Sequence, residues 1–209
     1  MKSLKILSLS DTHGSHSKIK LPNTDILIHS GDFTGSKLAE ESEFFNFIDW
    51  YSIQNSKHKI LVAGNHDGFI YNHNREARDY MQNKNIIYFE DSSETIEGIK
   101  FYGSPWSGEY NDWYFMLNKK RIAMAFDLIE KDTDILITHT PPYGYLDKAG
   151  NNKLGCPILA KKILTLPNLK YHFFGHIHES RGKMKRKGIE FINSSMISAF
   201  EQSYQEIII

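Results

Sequence analysis

Five times along this chain a short apolar run stops abruptly at a cluster of glycine, aspartate, asparagine or histidine. Leu4-Lys5-Ile6-Leu7-Ser8-Leu9 gives way to Ser10-Asp11-Thr12-His13-Gly14, and Ile26-Leu27-Ile28 to His29-Ser30-Gly31-Asp32. Ile60-Leu61-Val62-Ala63 leads into Gly64-Asn65-His66-Asp67, Ile135-Leu136-Ile137-Thr138 into His139-Thr140-Pro141-Pro142, and Tyr171-His172-Phe173-Phe174 into Gly175-His176-Ile177-His178. Short apolar runs bounded by turn formers read as buried strands. Polar clusters at their carboxyl ends would share one rim of a sheet, where α/β folds collect their ligands.

The segments between these runs complete the expected fold. Ser36 is placed to cap a helix in which Leu38, Phe44, Phe45, Ile48, Trp50 and Tyr51 keep a helical period to about residue 55. Further helices are predicted over 74–83, 119–130 and 154–165, the last with Pro157 near its first turn. Strands are expected over 4–9, 25–29, 58–63, 86–89, 134–138, 171–174, 188–193 and 204–209, with a hairpin over 95–102 turning at Glu97-Gly98. Helices and strands alternate early and strands crowd together later. With 209 residues and 40% hydrophobic content, one domain over 1–209 is expected, an α/β fold of two sheets packed face to face with helices outside.

The residues at the strand ends suit a metal. Asp11 and His13, two apart on a strand-like end, point the same way. Asp32 can bridge two cations with its two oxygens. Asn65, His139, His176 and His178 bring the set to seven candidate ligands. Oxygen and imidazole donors without cysteine fit Mn²⁺ first, with Fe²⁺, Zn²⁺, Co²⁺, Ni²⁺ or Mg²⁺ as alternatives, and argue against a structural zinc site. Two such ions polarise a phosphoryl group and turn a shared water into hydroxide. His66 is left over for catalysis, stabilising phosphoryl oxygens or protonating the leaving alkoxide, with Asp67 placed to orient it. Gly64 is read as the residue that lets the backbone turn sharply.

Asp11-x-His13, Gly31-Asp32, Gly64-Asn65-His66-Asp67, Thr138-His139 and Gly175-His176-x-His178 resemble, in order, the five motifs of the calcineurin-like metallophosphoesterases, across about residues 4–195. The resemblance implies a four-layer αββα sandwich with two mixed sheets. It also implies that one ion takes Asp11, His13, Asp32 and His178, and the other Asp32, Asn65, His139 and His176, with Asp32 bridging. Ser10-Asp11-Thr12-His13-Gly14, Gly31-Asp32-Phe33-Thr34, Gly103-Ser104-Pro105-Trp106, His139-Thr140-Pro141-Pro142 and Gly175-His176-Ile177-His178-Glu179 are similar to a small branch of metallophosphoesterase-domain-containing proteins related to cyclic nucleotide phosphodiesterases. A phosphodiesterase that hydrolyses small nucleotide-like diesters through a metal-bound hydroxide is the activity implied. Asp67 departs from many members, which carry the longer glutamate there.

Other enzyme and binding classes leave weaker marks. Lys+Arg and Asp+Glu balance at 25 each, so no global field favours nucleic acid or an acidic membrane, and a nuclease would want a basic groove. A phosphomonoesterase, including a protein phosphatase, would want extra cations near the motifs, where Lys18, Lys148 and Arg181 are the nearest. A metal-binding scaffold protein would be expected to have lost a ligand. The single cysteine, Cys156, fits a reducing compartment, and no apolar run approaches the ~20 residues of a membrane span. A cytoplasmic protein with a small phosphate ester as partner is expected, its oligomeric state open.

Several residues outside the motifs also carry expectations. His29 reads as a hydrogen-bonded core residue, and His16, His58, His73 and His172 as surface or packing residues. The basic run Lys183-Met184-Lys185-Arg186-Lys187 reads as a solvated hairpin tip. Trp106, Tyr110, Trp113 and Tyr114 have two readings: Trp106 and Trp113 stack a nucleobase against the metal cleft, or the loop only braces the site. Asn193 is read as a further polar contact to substrate. The strand over 204–209 either forms a sheet edge or pairs with another subunit.

Overall fold

The computed structural model describes residues 3–35, 40–196 and 204–209. Side-chain alternation along the buried strands sets its layers. In β1 (Lys5–Leu9), β2 (Thr24–His29) and β3 (Ser56–Val62), Ile6, Ile26, Ile28, Ile60 and Val62 point to one face while Leu7, Leu9, Leu27 and Leu61 point to the other. The leucine face is covered by Phe44, Phe47, Ile48 and Tyr51 of α1 (Glu40–Ser52), with Phe69 and Ile70 of α2 (Gly68–Asn72) and Ala77 and Met81 of α3 (Asn74–Asn83). Each fully buried aliphatic or aromatic side chain of this kind contributes about 1.5–3 kcal/mol.

The isoleucine face meets a second sheet. After β4 (Ile86–Phe89), the chain forms the hairpin β5 (Ser92–Ile96) and β6 (Ile99–Ser104), then β7 (Ile135–Thr138), β8 (Tyr171–Phe174), β9 (Gly182–Arg186) and β10 (Ile189–Asn193), before β11 (Gln205–Ile208) returns to the first sheet. Phe101, Ile135, Ile137, Phe173 and Ile192 interdigitate with the isoleucines between the sheets. On the outer face Tyr102, Leu136, Phe174 and Phe191 pack against α4 (Lys119–Asp127) and α5 (Pro157–Ile163). Helix, sheet, sheet, helix is the expected αββα order.

The first sheet runs β11-β1-β2-β3-β4 and the second β9-β10-β8-β7-β6-β5. β1 to β4 are mutually parallel, as are β6, β7, β8 and β10, while β5, β9 and β11 pair antiparallel at the edges. The carboxyl ends of β1 and β10 are joined across the sandwich. Ser10 bridges Ser195, Met196 N–H donates to Ser10 O at 2.9 Å, and the Ser8 and Ser194 hydroxyls lie 2.6 Å apart.

Some expectations change. Lys183 to Arg186 belong to β9, an exposed edge strand, and only Lys187-Gly188, at φ 52° and 82°, make the turn. Lysines on an edge strand deter pairing with another chain, so the charge run and the strand are compatible. β11 is an edge strand paired within the chain to β1. The short α2 is an addition to the expected elements, because five residues carry no readable period. α5 begins at Pro157 rather than 154, since proline suits the first helical position. Ser36 and Leu38 lie outside the described residues.

Candidate metal centre

Each motif occupies the loop that leaves a parallel strand: Asp11 and His13 after β1, Asp32 after β2, Asn65 to Asp67 after β3, His139 after β7, and His176 and His178 after β8. These loops are strained where it matters. Asp11, His13, Asp32 and His176 sit at φ 56°, 39°, 57° and 70°, a region that costs a non-glycine residue about 1–3 kcal/mol. Backbone hydrogen bonds between loops hold the strain: Asp11 N–H donates to Gly31 O at 2.9 Å and His13 N–H to Asp32 O at 3.1 Å. The Asp11 carboxylate accepts from the His176 N–H at 3.0 Å.

Three glycines make the convergence possible by leaving space. A Cβ on Gly31 would lie 2.7 Å from His139 Nδ1, one on Gly64 2.3 Å from Asp32 Oδ1, and one on Gly175 2.0 Å from Ser10 Oγ. Gly64 therefore supplies room for Asp32 and His139, and it also opens the tight turn over 64–67 that Asp67 N–H closes on Gly64 O at 3.2 Å.

The ligand atoms gather in overlapping groups. Asp11, His13 and His178 bring one atom each within 4.8 Å of one another, as do Asp32, His139 and His176, while His13, Asp32 and His66 form a third set between them. His139 reveals what the arrangement suits. Its Nδ1 faces Ser30 O at 2.9 Å, and a carbonyl only accepts, so Nδ1 carries a proton. Its Nε2 then faces Asn65 Oδ1 at 3.0 Å, His176 Nδ1 at 3.2 Å and Asp32 Oδ2 at 3.3 Å. His13 is held the same way, Nδ1 on Thr34 O at 3.1 Å. Such bonds fix the orientation of metal-binding imidazoles. Acceptor atoms crowded this closely fit a divalent cation.

Without a cation, protons carry the compensating charge. Burial disfavours the charged form of His139, but Asp32 and Asp11 overcome it and raise its pKa to about 9. Burial also opposes ionisation of Asp11 and Asp32, yet the His178 hydrogen bond and nearby imidazoles hold Asp11 well below the usual range, and His139 brings Asp32 to about 2. His178 is raised by its hydrogen bond with Asp11. His176, buried beside the charged His139, falls to about 4.

His66 stands at the edge of this cluster, its Nε2 4.0 Å from Asp32 Oδ2. Its ring sits edge-on to His13 at 4.6 Å and under Trp113 at 4.2 Å, tilted 36°. Burial lowers its pKa. Asp67 does not orient it. The Asp67 carboxylate instead accepts the N–H groups of Gly64, Asp32, Phe33 and Thr34 at 2.7–3.1 Å and the Thr34 hydroxyl at 3.0 Å, tying the loop after β2 to the loop after β3. Burial and the neighbouring Asp32 charge raise Asp67 to about 7, against the pull of those donors.

The remaining candidates divide. Trp113 borders the centre. Trp106 does not: its Nε1 donates to Asp91 at 2.6 Å and its ring wedges between both helix-side cores. Asn193 is also structural, with Nδ2 donating to Ile177 O at 2.8 Å and Leu146 O at 3.2 Å. Arg181 is committed to the carbonyls of Ser194, Ser195 and Tyr204. His29 is a hydrogen-bonded core histidine, with Nε2 3.2 Å from the Thr12 hydroxyl and Nδ1 accepting from Gly31 N–H. His16 and His172 are buried packing residues.

A cleft of about 960 Å³ opens from Asn65, His66 and His176 towards α4 and α5. Sequence reasoning misses its far wall, Met116, Leu117, Ile122, Leu154 and Ile158, because no motif or strand end marks these positions.

Comparisons place these features among known proteins. The family description "calcineurin-like phosphoesterase" matches residues 4–180. A Caenorhabditis elegans UPF0046 protein is 34% identical over 95% of this chain and 72% of its own length. The human metallophosphoesterase domain-containing protein 1 is 32% identical over 97% of this chain and 68% of its own. A solved Thermus thermophilus structure, 18% identical, superposes with a TM-score of 0.67 over 93% of this chain and 90% of that one, a likeness of fold. Among the described residues, no helix is long and apolar enough to cross a membrane.

Proposed function

The chain belongs to the calcineurin-like phosphoesterase family, and from that premise we propose that it is a two-metal phosphodiesterase acting on small nucleotide-like diesters. The overlap of the converging groups carries this reading: His13 links Asp11 and His178 to a set containing Asp32, and Asp32 links that set to His139 and His176. Asp11, His13 and His178 would hold one ion, Asn65, His139 and His176 the other, and Asp32 both. When bound, such ions supply Lewis-acid stabilisation of phosphoryl oxygens and acidify water.

The side chains around the ions position the ester. His66 lies on the cleft side of Asp32, partly buried and clamped between two rings. There it delivers a proton to the departing ester oxygen. Asp67 acts at one remove by fixing the loops that carry Asp32 and Asn65.

Charge supports a diester over a monoester. Among the described residues, Lys119 is the lysine or arginine that lines the cleft, and Arg181 is spent on backbone carbonyls. A dianionic monoester would meet little extra positive charge. The test is hydrolysis of bis(p-nitrophenyl) phosphate and p-nitrophenyl phosphate by metal-stripped protein resupplied with Mn²⁺. Metal-dependent turnover favouring the diester at least tenfold is expected. Monoester preference, or turnover indifferent to metal, would overturn the proposal.

A further inference from the structure

The cleft is far larger than a phosphoryl group needs, and its outer part has a different chemistry from its inner part. Beyond His66 and His176, one side of the wall is aliphatic, facing the rings of Tyr110 and Trp113: Met116 and Leu117 precede α4, Ile122 lies on α4, Leu154 precedes α5, and Ile158 lies on α5. Ile122 is 2% exposed and Leu117 7%, so the wall is backed by core, while Leu154 is 52% exposed within the cleft. An open leucine beside buried ones, continuous with the metal centre, is apolar surface that a bound molecule would cover.

Charge narrows the occupant. The cleft's outer charged side chains are Glu109, Glu179 and Lys119, two carboxylates against one ammonium. A second phosphate beside the first would face net negative charge. The geometry points to a subsite for one uncharged, apolar organic arm of a monoanionic phosphodiester, held against Leu117, Leu154 and Ile158. This rests on the phosphodiesterase reading above and specifies its substrate class: small diesters with an aryl or comparably apolar arm, in preference to oligonucleotides or diesters bearing a second phosphate.

Two measurements test the subsite and keep it separate from the activity. Calorimetry on Mn²⁺-loaded protein compares methyl methylphosphonate with phenyl methylphosphonate, two monoanions that differ only in the arm. The phenyl compound should bind at least tenfold tighter, the size of effect expected for burying an aromatic ring. Leu154→Asp should bring the two within about threefold, and Leu154→Met should restore the preference. Leu154 is half-open to solvent, so the protein should fold with either residue. Equal affinities in the native protein, or an aryl preference that survives Leu154→Asp, would overturn the proposal.

The second measurement is hydrolysis of methyl p-nitrophenyl phosphate and phenyl p-nitrophenyl phosphate. A higher kcat/KM for the phenyl ester, with the ratio reduced by Leu154→Asp, supports the subsite. Equal kcat/KM counts against it. A phosphonate preference lost in Leu154→Asp, with no metal-dependent turnover of either ester, would uphold the subsite and defeat the phosphodiesterase reading.

Discussion

The inner and outer halves of the cleft are built in opposite ways. The inner half is polar, buried and strained, with four candidate ligands at positive φ and glycines whose missing side chains leave just enough room. The outer half is more apolar and partly open, its aliphatic side made by side chains from α4, α5 and their leading segments. Strain and close packing leave the inner half almost no freedom to vary. The outer half can change its side chains without disturbing the strand ends. On the two proposals above, chemistry and selectivity would be carried by separable parts of one cavity.

The largest expected effect that would break this division lies at the boundary. His66→Ala should lower kcat by about 10²–10⁴ through loss of acid assistance, while metal content measured by plasma emission stays at the native level. Loss of metal together with rate would make His66 a ligand instead. Next comes Gly64→Ala, whose Cβ would fall 2.3 Å from Asp32 Oδ1 and 2.7 Å from His139 Cε1. Displacement of either group should cost about 10²-fold in turnover, and a normal rate would show that the inner half is less tightly fixed than its geometry implies.

A smaller effect follows from His139. Its folded pKa of about 9 lies above the ordinary value of 6.5, so its stabilisation of the metal-free fold is complete below pH 6.5 and is lost as pH rises through 9. A metal competes with that proton, so affinity should rise about tenfold per pH unit across the same window. Mn²⁺ titrations at pH 6.5, 7.5 and 8.5 check it, and a flat profile would remove His139 as the competing site. The smallest effect is at Trp106. Trp106→Phe leaves Asp91 without its 2.6 Å donor and should cost about 1–3 kcal/mol in urea unfolding, with KM for a diester unchanged. A raised KM would give Trp106 back to the cleft.

The contrast between the halves also explains what the sequence discloses. The inner half is legible because its residues follow strands directly: a strand end fixes where Asp11, Asp32 and His139 emerge, and local order is enough. The outer half depends on segments far apart in sequence meeting. Trp106 and Trp113 look alike as loop tryptophans, yet one finds Asp91 after β4 and the other finds His66. Asp67 misleads for the same reason. Its neighbour in sequence is His66, but its partners are backbone groups around residues 32–34. The layers are readable from alternation; β9 is hidden because an exposed edge strand carries no apolar period.

The stitch between Ser8 and Ser194, 186 residues apart, has a consequence for how the protein is made. Asp11, His13, Asp32 and Asn65 leave the ribosome early, but the groups that complete the cage, His139, His176 and His178, follow much later. At about 5–20 residues per second, roughly 10–40 s separate the emergence of β1 from that of the strand it is fastened to. During that interval the nascent chain offers only fragments of a chelating site. On the two-metal reading, metal acquisition would be an event of the finished fold, and the ion would be selected by an assembled site rather than by a growing peptide.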